Sequence, residues 1–187
     1  VLKDSLSTRP DGRVVARVFP RDIYDRTLYG GFTADVWMQD GITLSSAVDT
    51  MAELYQGDIA EPQVTLVLGA GNVASIGPMD VMHEMFVIGS VCLLKLNPVN
   101  AYVGPVLEEA FAPWIESGVM EICYGGADVG EYLCQHASID RIHITGSDRT
   151  HDAIVWGPAK EQAERKRRGD RYNDKPITSE LGNVSPV

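Results

Sequence analysis

Four polar side chains in this sequence have functional groups and neighbours that suit chemistry on a small ligand. They are Asn72, Lys95, Ser147 and Glu180. Asn72 lies in a glycine-bounded turn, where its side-chain amide can donate a hydrogen bond to a developing oxyanion. Glu180 lies in an otherwise apolar predicted strand, where a half-buried carboxylate suits a general base. The pair is typical of catalysis in which an oxygen atom gains negative charge.

The other two residues are suited to binding an anion. Ser147 follows Thr145 and Gly146 and opens a predicted helix, and a hydroxyl beside the free amides of a helix N-terminus forms a phosphate site. Lys95 ends a predicted apolar strand, where a lone charge is costly unless it reaches solvent or an anion. These two residues therefore indicate a ligand that carries phosphate groups.

Taken singly, each of the four residues also has a structural explanation. Ser147 can be an ordinary helix cap, and Asn72 can be an ordinary turn residue. The side chain of Lys95 can extend to solvent, and Glu180 can belong to a structural ion pair. The functional interpretation therefore depends on whether the fold brings the four side chains together.

The pattern from residue 64 onward predicts such a fold. Strands are predicted at residues 64–68, 91–96, 120–124, 139–144 and 177–181. Helices are predicted at residues 78–88, 105–116, 127–136, 147–156 and 160–171. Strands separated by helices form a parallel sheet through right-handed crossovers, and ligands bind at the carboxyl ends of its strands. The predicted class is therefore α/β, with a parallel sheet flanked by helices.

A glycine-rich turn follows the first of these strands. The run GAGNVA at residues 69–74 approximates the dinucleotide-binding fingerprint as GxGxxA, while the standard GxGxxG is absent. A tight turn explains these glycines equally well. The run alone therefore leaves a nucleotide role open.

Residues 1–63 are predicted to be an incomplete N-terminal segment and linker. A strand is predicted at residues 14–19 and a helix at residues 44–55, with Ser45 or Ser46 as its cap. Residues 57–62 have the composition of a linker. No motif in this part is suited to chemistry.

The composition excludes several classes of protein. With 26 acidic and 16 basic residues the net charge is −10, which argues against nucleic acid as a partner. No apolar run is long enough to predict a membrane span. The three cysteines, Cys92, Cys123 and Cys134, are embedded in apolar runs without metal-ligand or disulfide spacing. We expect a cytoplasmic protein with buried thiols and no metal site.

Four motifs occur in the order and at about the spacings found in the aldehyde dehydrogenase superfamily, which the sequence resembles over residues 64–187. They are GN at 71–72, LK at 94–95, ITGS at 144–147 and SELG at 179–182. Members of the superfamily also carry runs closely similar to LGAGNVASIGPMDV, HITGSDRTHDAIVWG and KPITSELGNVSPV. The resemblance implies a Rossmann-like domain that binds NAD or NADP.

The resemblance also implies a role for each site residue. Asn72 corresponds to the amide that holds the substrate oxygen, and Glu180 to the general base. The expected cofactor-binding residues are Lys95 near the adenosine ribose with Asn97 beside it, Gly146 and Ser147 at the pyrophosphate, and Leu181 near the nicotinamide. Gly126 and Thr145 are further expected cofactor-binding residues. The implied reaction is oxidation of an aldehyde to a carboxylic acid through a cysteine thioester, in a homo-oligomer.

Three departures from the family pattern modify this expectation. The nucleophilic cysteine of the family lies well beyond Glu180 in a separate catalytic domain, so we expect both ends of this chain to be cuts and the fragment to be inactive. Pro98, beside Asn97, replaces a glutamate that holds the ribose, so NADP is expected to be tolerated. Gly71 replaces an aromatic residue, which changes the expected substrate tunnel. A reductase of acyl-CoA or acyl phosphate and an inactive nucleotide-binding module remain alternatives.

Overall fold

The computed structural model describes residues 3–55, 57 and 61–182. The chain divides into two compact units, residues 1–57 and residues 58–187. The boundary between residues 63 and 64 that the sequence indicates stays a prediction. None of the described helices is long and apolar enough to cross a membrane.

The first unit contains a small antiparallel sheet. Among the described residues its strands are β1 (Leu6–Thr8), β2 (Val14–Phe19) and β3 (Ala34–Trp37), with β2 in the middle. The predicted strand at residues 14–19 is confirmed. Helix α1 (Ile23–Leu28) connects β2 to β3, and α2 (Leu44–Asp49) follows. The unpredicted elements are short, with β1 only three residues long, so the sequence pattern that marks them is weak.

The predicted helix at residues 44–55 is wrong in its extent and in its cap. Helix α2 ends at Asp49, and Ala52 has a positive φ of 53°, which interrupts the helical run. The cap is Thr43, whose Oγ1 accepts a hydrogen bond of 3.1 Å from the amide of Ser46. The Ser46 hydroxyl in turn accepts 2.9 Å from the Thr43 amide, so Ser46 is the second partner of a capping box.

The second unit contains a parallel sheet, as the sequence predicts. Its described strands are β4 (Val64–Leu68), β5 (Val91–Lys95), β6 (Met120–Cys123), β7 (Arg141–Gly146) and β8 (Ile177–Leu181). Their order in the sheet is β6-β5-β4-β7-β8, and every neighbouring pair is parallel. The carboxyl ends of β4, β5, β7 and β8, which precede or contain the predicted site residues, therefore lie along one edge.

Helices cover both faces of this sheet. They are α3 (Ile76–His83), which continues as a π-helix (Glu84–Ile88), α4 (Gly104–Ala110), α5 (Ala112–Glu116), α6 (Ala127–Gln135), α7 (Asp148–Trp156) and α8 (Ala159–Arg168). A 3₁₀ helix (Pro98–Val103) precedes α4. Apolar residues alternate along the strands between the two faces, as expected for a sheet buried on both sides. One face packs Val67 and Leu94 against Val81 of α3, and the other packs Leu66 and Ile142 against Cys134 of α6.

Two boundaries differ from the predictions for physical reasons. The predicted helix at residues 105–116 is split at Phe111, because Pro113 lacks the amide that would continue the first helix. The predicted strand at residues 139–144 begins and ends later, so Thr145 and Gly146 are its last residues instead of following it. Pairing with β8 extends the ladder to these two residues, since Thr145 is opposite Glu180.

Candidate functional site

A cleft of about 1170 Å³ lies at the carboxyl ends of β4, β5, β7 and β8. Most of the site residues predicted from the sequence line this cleft: Asn72, Lys95, Asn97, Thr145, Gly146, Ser147 and Glu180. Their side chains or backbones come from separate strand ends, and the parallel register brings them together. The common location is the condition that the functional interpretation required.

Two predicted cofactor residues do not contribute to the cleft wall. Gly126 is the N-cap of α6, and a Cβ at this position would lie 2.9 Å from Oδ1 of Asp128, so Gly126 faces its own helix. Leu181 ends β8, where its side chain is partly exposed. The role that the family resemblance implies for Leu181 concerns its carbonyl group, and the roles of both residues stay predictions.

Ser147 caps the helix that begins at the cleft. Its Oγ accepts a hydrogen bond of 3.2 Å from the amide of Thr150, so the cap interpretation is confirmed. The carboxylate of Asp148 accepts a hydrogen bond of 2.8 Å from the Arg149 amide. Two amides of the first turn are therefore already satisfied by side chains. A phosphate group at this helix N-terminus would still gain from the helix dipole, but it would compete with the charge of Asp148.

Lys95 is a buried cation at the floor of the cleft. It is the last residue of β5 and is 7% exposed. Burial lowers the pKa of its ammonium group, while the nearby Cys123 and Asp128 act in the opposite direction. Within the described ranges, no residue forms a hydrogen bond or ion pair with this ammonium group. The ammonium group reaches the open cleft, where it is accessible to a polar or anionic ligand.

Asn72 lies at the end of a turn that neighbouring asparagines hold in place. Asn100 donates a hydrogen bond of 2.8 Å from its side-chain amide to the carbonyl of Ala70. The Asn97 side chain packs against Gly71, where a Cβ would lie 2.9 Å from Nδ2 of Asn97. The side chain of Asn72 itself is exposed and bonds to no other residue in the described part of the chain. Its amide is therefore free to donate to a ligand.

Glu180 is exposed, so the expectation of a half-buried carboxylate is wrong. It lies on β8, at the edge of the described sheet, and four of the five residues of this strand are exposed. No residue within the described ranges forms an ion pair with Glu180, so the structural ion-pair interpretation is not supported. Glu180 contributes to the lining of the cleft at the end of β8.

Sequence reasoning missed a buried polar cluster on the opposite face of β7. It contains Asp80, Glu84, Arg141 and His143. A signal for it was present, because polar Arg141 and His143 alternate with apolar Ile142 in β7, and Asp80 and Glu84 are four residues apart on one helical face. Such a polar stripe under a helix indicates a buried ionic network.

Comparisons with known proteins agree with this geometry. The sequence model described as "Aldehyde dehydrogenase family" matches residues 64–187. The chain belongs to the aldehyde dehydrogenase family. A human relative, 4-trimethylaminobutyraldehyde dehydrogenase, is 29% identical over 100 residues, which are 53% of this chain and 18% of that protein. The chain thus spans less than a fifth of the length of this curated relative.

Solved structures of the family have the same fold. A structure of proline utilization A (PutA) with proline bound in remote sites matches 65% of this chain and 12% of its own chain, with a TM-score of 0.50 and 19% identity. A succinic semialdehyde dehydrogenase from Streptococcus pyogenes, solved with NADP⁺, matches 64% of this chain and 24% of its own, with a TM-score of 0.49 and 22% identity.

The three thiols are poorly suited to nucleophilic attack, as expected from the apolar runs that contain them. Burial raises the pKa of Cys92 to about 12 and that of Cys134 to about 11. Cys134 contributes to the cleft but is only 2% exposed. Burial also raises the pKa of Cys123, which is half-buried, and the adjacent Lys95 partly offsets this effect. A thiol with such a pKa is almost entirely protonated at neutral pH.

We predict that alkylation with iodoacetamide at pH 7.5 modifies Cys123 before Cys92 and Cys134, and that all three react slowly. Raising the pH to 9 should accelerate the reaction of Cys123 most, because this thiol is the most accessible of the three. Mass spectrometry of peptides from a time course measures the order. In urea the three should react at similar rates, and early modification of Cys134 in the native protein would contradict its burial.

Proposed function

We propose that this chain forms the NAD(P)-binding domain of an enzyme that oxidises an aldehyde to a carboxylic acid through a cysteine thioester. The supporting observation is that Asn72, Lys95, Ser147 and Glu180, from separate strand ends, line one cleft. The proposal includes a homo-oligomeric, cytoplasmic enzyme that acts on a small aldehyde. The homo-oligomeric assembly and the aldehyde substrate are supported only by the membership of the chain in the aldehyde dehydrogenase family.

The cleft residues fit a dinucleotide by their charges and positions. The unpaired ammonium group of Lys95 would donate to the adenosine ribose, and the amide-rich start of α7 at Ser147 would bind the pyrophosphate. Gly146, which precedes Ser147, leaves room for close approach because it has no side chain. When bound, NAD or NADP supplies the acceptor for the substrate hydride. The neutral side chain of Asn97 would accept either ribose or 2′-phosphoribose.

Asn72 and Glu180 would act at the other end of the cleft. When a cysteine thiolate from the proposed catalytic domain attacks the carbonyl carbon, the oxygen gains negative charge, and the Asn72 amide donates a hydrogen bond to it. After hydride loss leaves a thioester, Glu180 accepts a proton from the water that attacks the thioester carbon. The C–S bond then breaks, which releases the acid and restores the thiol. The exposed position of Glu180 gives it access to that water.

A reductase of acyl-CoA or acyl phosphate is the second candidate, although the presence of Glu180 favours hydrolysis. In such an enzyme the thioester is formed from an activated acyl group, so water activation by a glutamate is not required. An inactive nucleotide-binding module would retain cofactor binding alone. The contribution of Glu180 to turnover distinguishes these alternatives.

Substitution of Lys95 by methionine is the first prediction for this site. Methionine retains most of the apolar stem but removes the ammonium group, so the affinity for both NAD and NADP should fall about 10- to 100-fold. Isothermal titration of this chain measures the change. Lys160→Met, an identical replacement on α8 outside the cleft lining, is the matched control and should leave affinity unchanged. Equal affinities for the two variants would remove Lys95 from the cofactor site.

The choice between NAD and NADP is the second prediction. Wild-type protein should bind NADP no more weakly than NAD. Asn97→Asp keeps the Oδ1 atom, which accepts a hydrogen bond of 3.1 Å from the Val99 amide, but adds a negative charge to the cleft. We expect this variant to lose about tenfold in affinity for NADP relative to NAD, because the carboxylate repels the 2′-phosphate. The ratio should recover in high salt. A wild-type preference for NAD would oppose the interpretation of Asn97.

Replacement of Glu180 by glutamine is the third prediction, for a protein that includes the cysteine domain. Steady-state aldehyde oxidation should slow by about 10²–10⁴-fold, because general-base assistance to thioester hydrolysis is lost. A rapid first turnover of NADH should persist, since hydride transfer precedes hydrolysis. Stopped-flow absorbance at the NADH band separates the two phases. Full steady-state turnover in Glu180→Gln would exclude it as the base and favour the reductase.

A further inference from the structure

Four ionisable side chains are buried together between the start of β7 and the helix that packs over it. Nε of Arg141 lies 3.3 Å from Oε2 of Glu84, and Nε2 of His143 lies 3.5 Å from Oδ2 of Asp80. Nδ1 of His143 is also 3.9 Å from Oε1 of Glu84. The Glu84 side chain is 2% exposed and that of His143 is 10% exposed. This cluster is outside the cleft lining and has no role in the proposed chemistry.

The charges of this cluster balance only when His143 carries a proton. Asp80 and Glu84 contribute two negative charges, and Arg141 contributes one positive charge. A neutral His143 would leave one uncompensated negative charge in a buried site, which is costly. Hydrogen bonding to Asp80 raises the pKa of His143, and the charges of Asp80, Glu84 and Glu180 add to this effect, although burial opposes it. The imidazolium form is therefore the one that the cluster stabilises.

The cluster contacts β8 through Thr178 and the end of β7 through Thr145. Nδ1 of His143 is 2.8 Å from Oγ1 of Thr178, and a protonated ring donates to this hydroxyl. The Thr145 hydroxyl donates a hydrogen bond of 3.0 Å to Oδ2 of Asp80, and Thr145 is the register partner of Glu180. Thr178 precedes Glu180 by two residues on the same strand. The imidazole of His143 thus contacts β8 directly, and Asp80 contacts the end of β7 through Thr145.

Strand β8 has one neighbouring strand among the described residues, and only Ile177 of its side chains packs against the core. It is at the edge of the described sheet, and all of its residues except Ile177 are exposed. Backbone hydrogen bonds to β7 set its register, but exposed backbone hydrogen bonds open easily. A side-chain hydrogen bond from a buried charged group adds a contact that is specific to this register.

We propose that His143 is a positioning residue for Glu180: it joins β8 to α3 through Thr178 and Asp80 and so holds the carboxylate at the cleft. The attachment of β8 is independent of cofactor chemistry. Only its consequence for turnover rests on the proposed function of Glu180.

The attachment has a defined pH dependence. The groups that face His143 are Asp80 and Glu84 from the helix, Arg141 from β7 and Glu180 from β8. Because the pKa of His143 is raised in the folded state, its contribution is complete below the ordinary histidine pKa of 6.5 and is lost as the pH rises through the higher folded pKa. We therefore expect β8 to be held more weakly in alkaline solution.

Hydrogen–deuterium exchange of this chain tests the proposal. Thr178→Val removes the hydroxyl but keeps the shape and strand propensity of an exposed position, so the fold should persist. Protection of the peptide that contains β8 should fall about tenfold at pH 6, the scale of one charge-assisted hydrogen bond, while β4 and β5 stay unchanged. Thr178→Ser, which retains the hydroxyl, should restore protection. His143→Gln should reproduce the effect of Thr178→Val.

The pH profile separates positioning from simple packing. In the wild-type protein, the protection of β8 amides against exchange should decrease as the pH rises through the titration of His143. In Thr178→Val, the exchange rate of the same amides should change with pH only as the intrinsic exchange rate does. Unchanged β8 protection in Thr178→Val, or a loss spread equally over β4 and β5, would overturn the proposal. Glu180→Gln should leave the protection of β8 largely unchanged. The effect of this variant on turnover therefore tests the proposed base separately from the attachment through His143.

Discussion

The parallel register of β4, β5, β7 and β8 is the constraint on which the rest of the structure depends. Leu68 at the end of β4 is opposite both Lys95 of β5 and Ile144 of β7, and Thr145 is opposite Glu180 of β8. Neighbouring strands are about 5 Å apart, so these strand ends form a single row. A slip of one residue in any pair would turn each side chain of that strand to the opposite face. The cleft therefore exists because the ladder is in this register.

The same alternation divides the sheet into two functional faces. Leu93 and Lys95 lie on the face of β5 that packs against the apolar core under α6. The stem of Lys95 is therefore surrounded by apolar side chains. Arg141, His143 and Thr145 project to the opposite face under α3, where they meet Asp80 and Glu84. Among the described residues, Lys95 on the first face has no ion-pair partner. Charge on the second face is paired internally and serves to hold strands.

The sheet and the cleft could be predicted because both follow from local signals. Apolar runs of about five residues separated by helices specify parallel strands, and polar residues at their ends then share an edge. The exposure of Glu180 could not be predicted, since it depends on what packs over an edge strand and not on the strand itself. Pro113 indicates a break near Phe111, but the helical spacing of the apolar residues around it predicts one continuous helix. The pairing of His143 with Asp80 joins residues 63 positions apart, which no local pattern encodes.

The departure from the family pattern at Gly71 packs against Asn97, the residue beside the second departure at Pro98. A Cβ at position 71 would lie 2.9 Å from Nδ2 and 3.1 Å from Cγ of Asn97, so an aromatic ring there requires Asn97 to be smaller or to move. Conversely, the space that such a ring would fill is filled by the Asn97 amide, which also caps the following 3₁₀ helix. The wall between Asn72 and Lys95 is consequently an amide surface in place of an aromatic one.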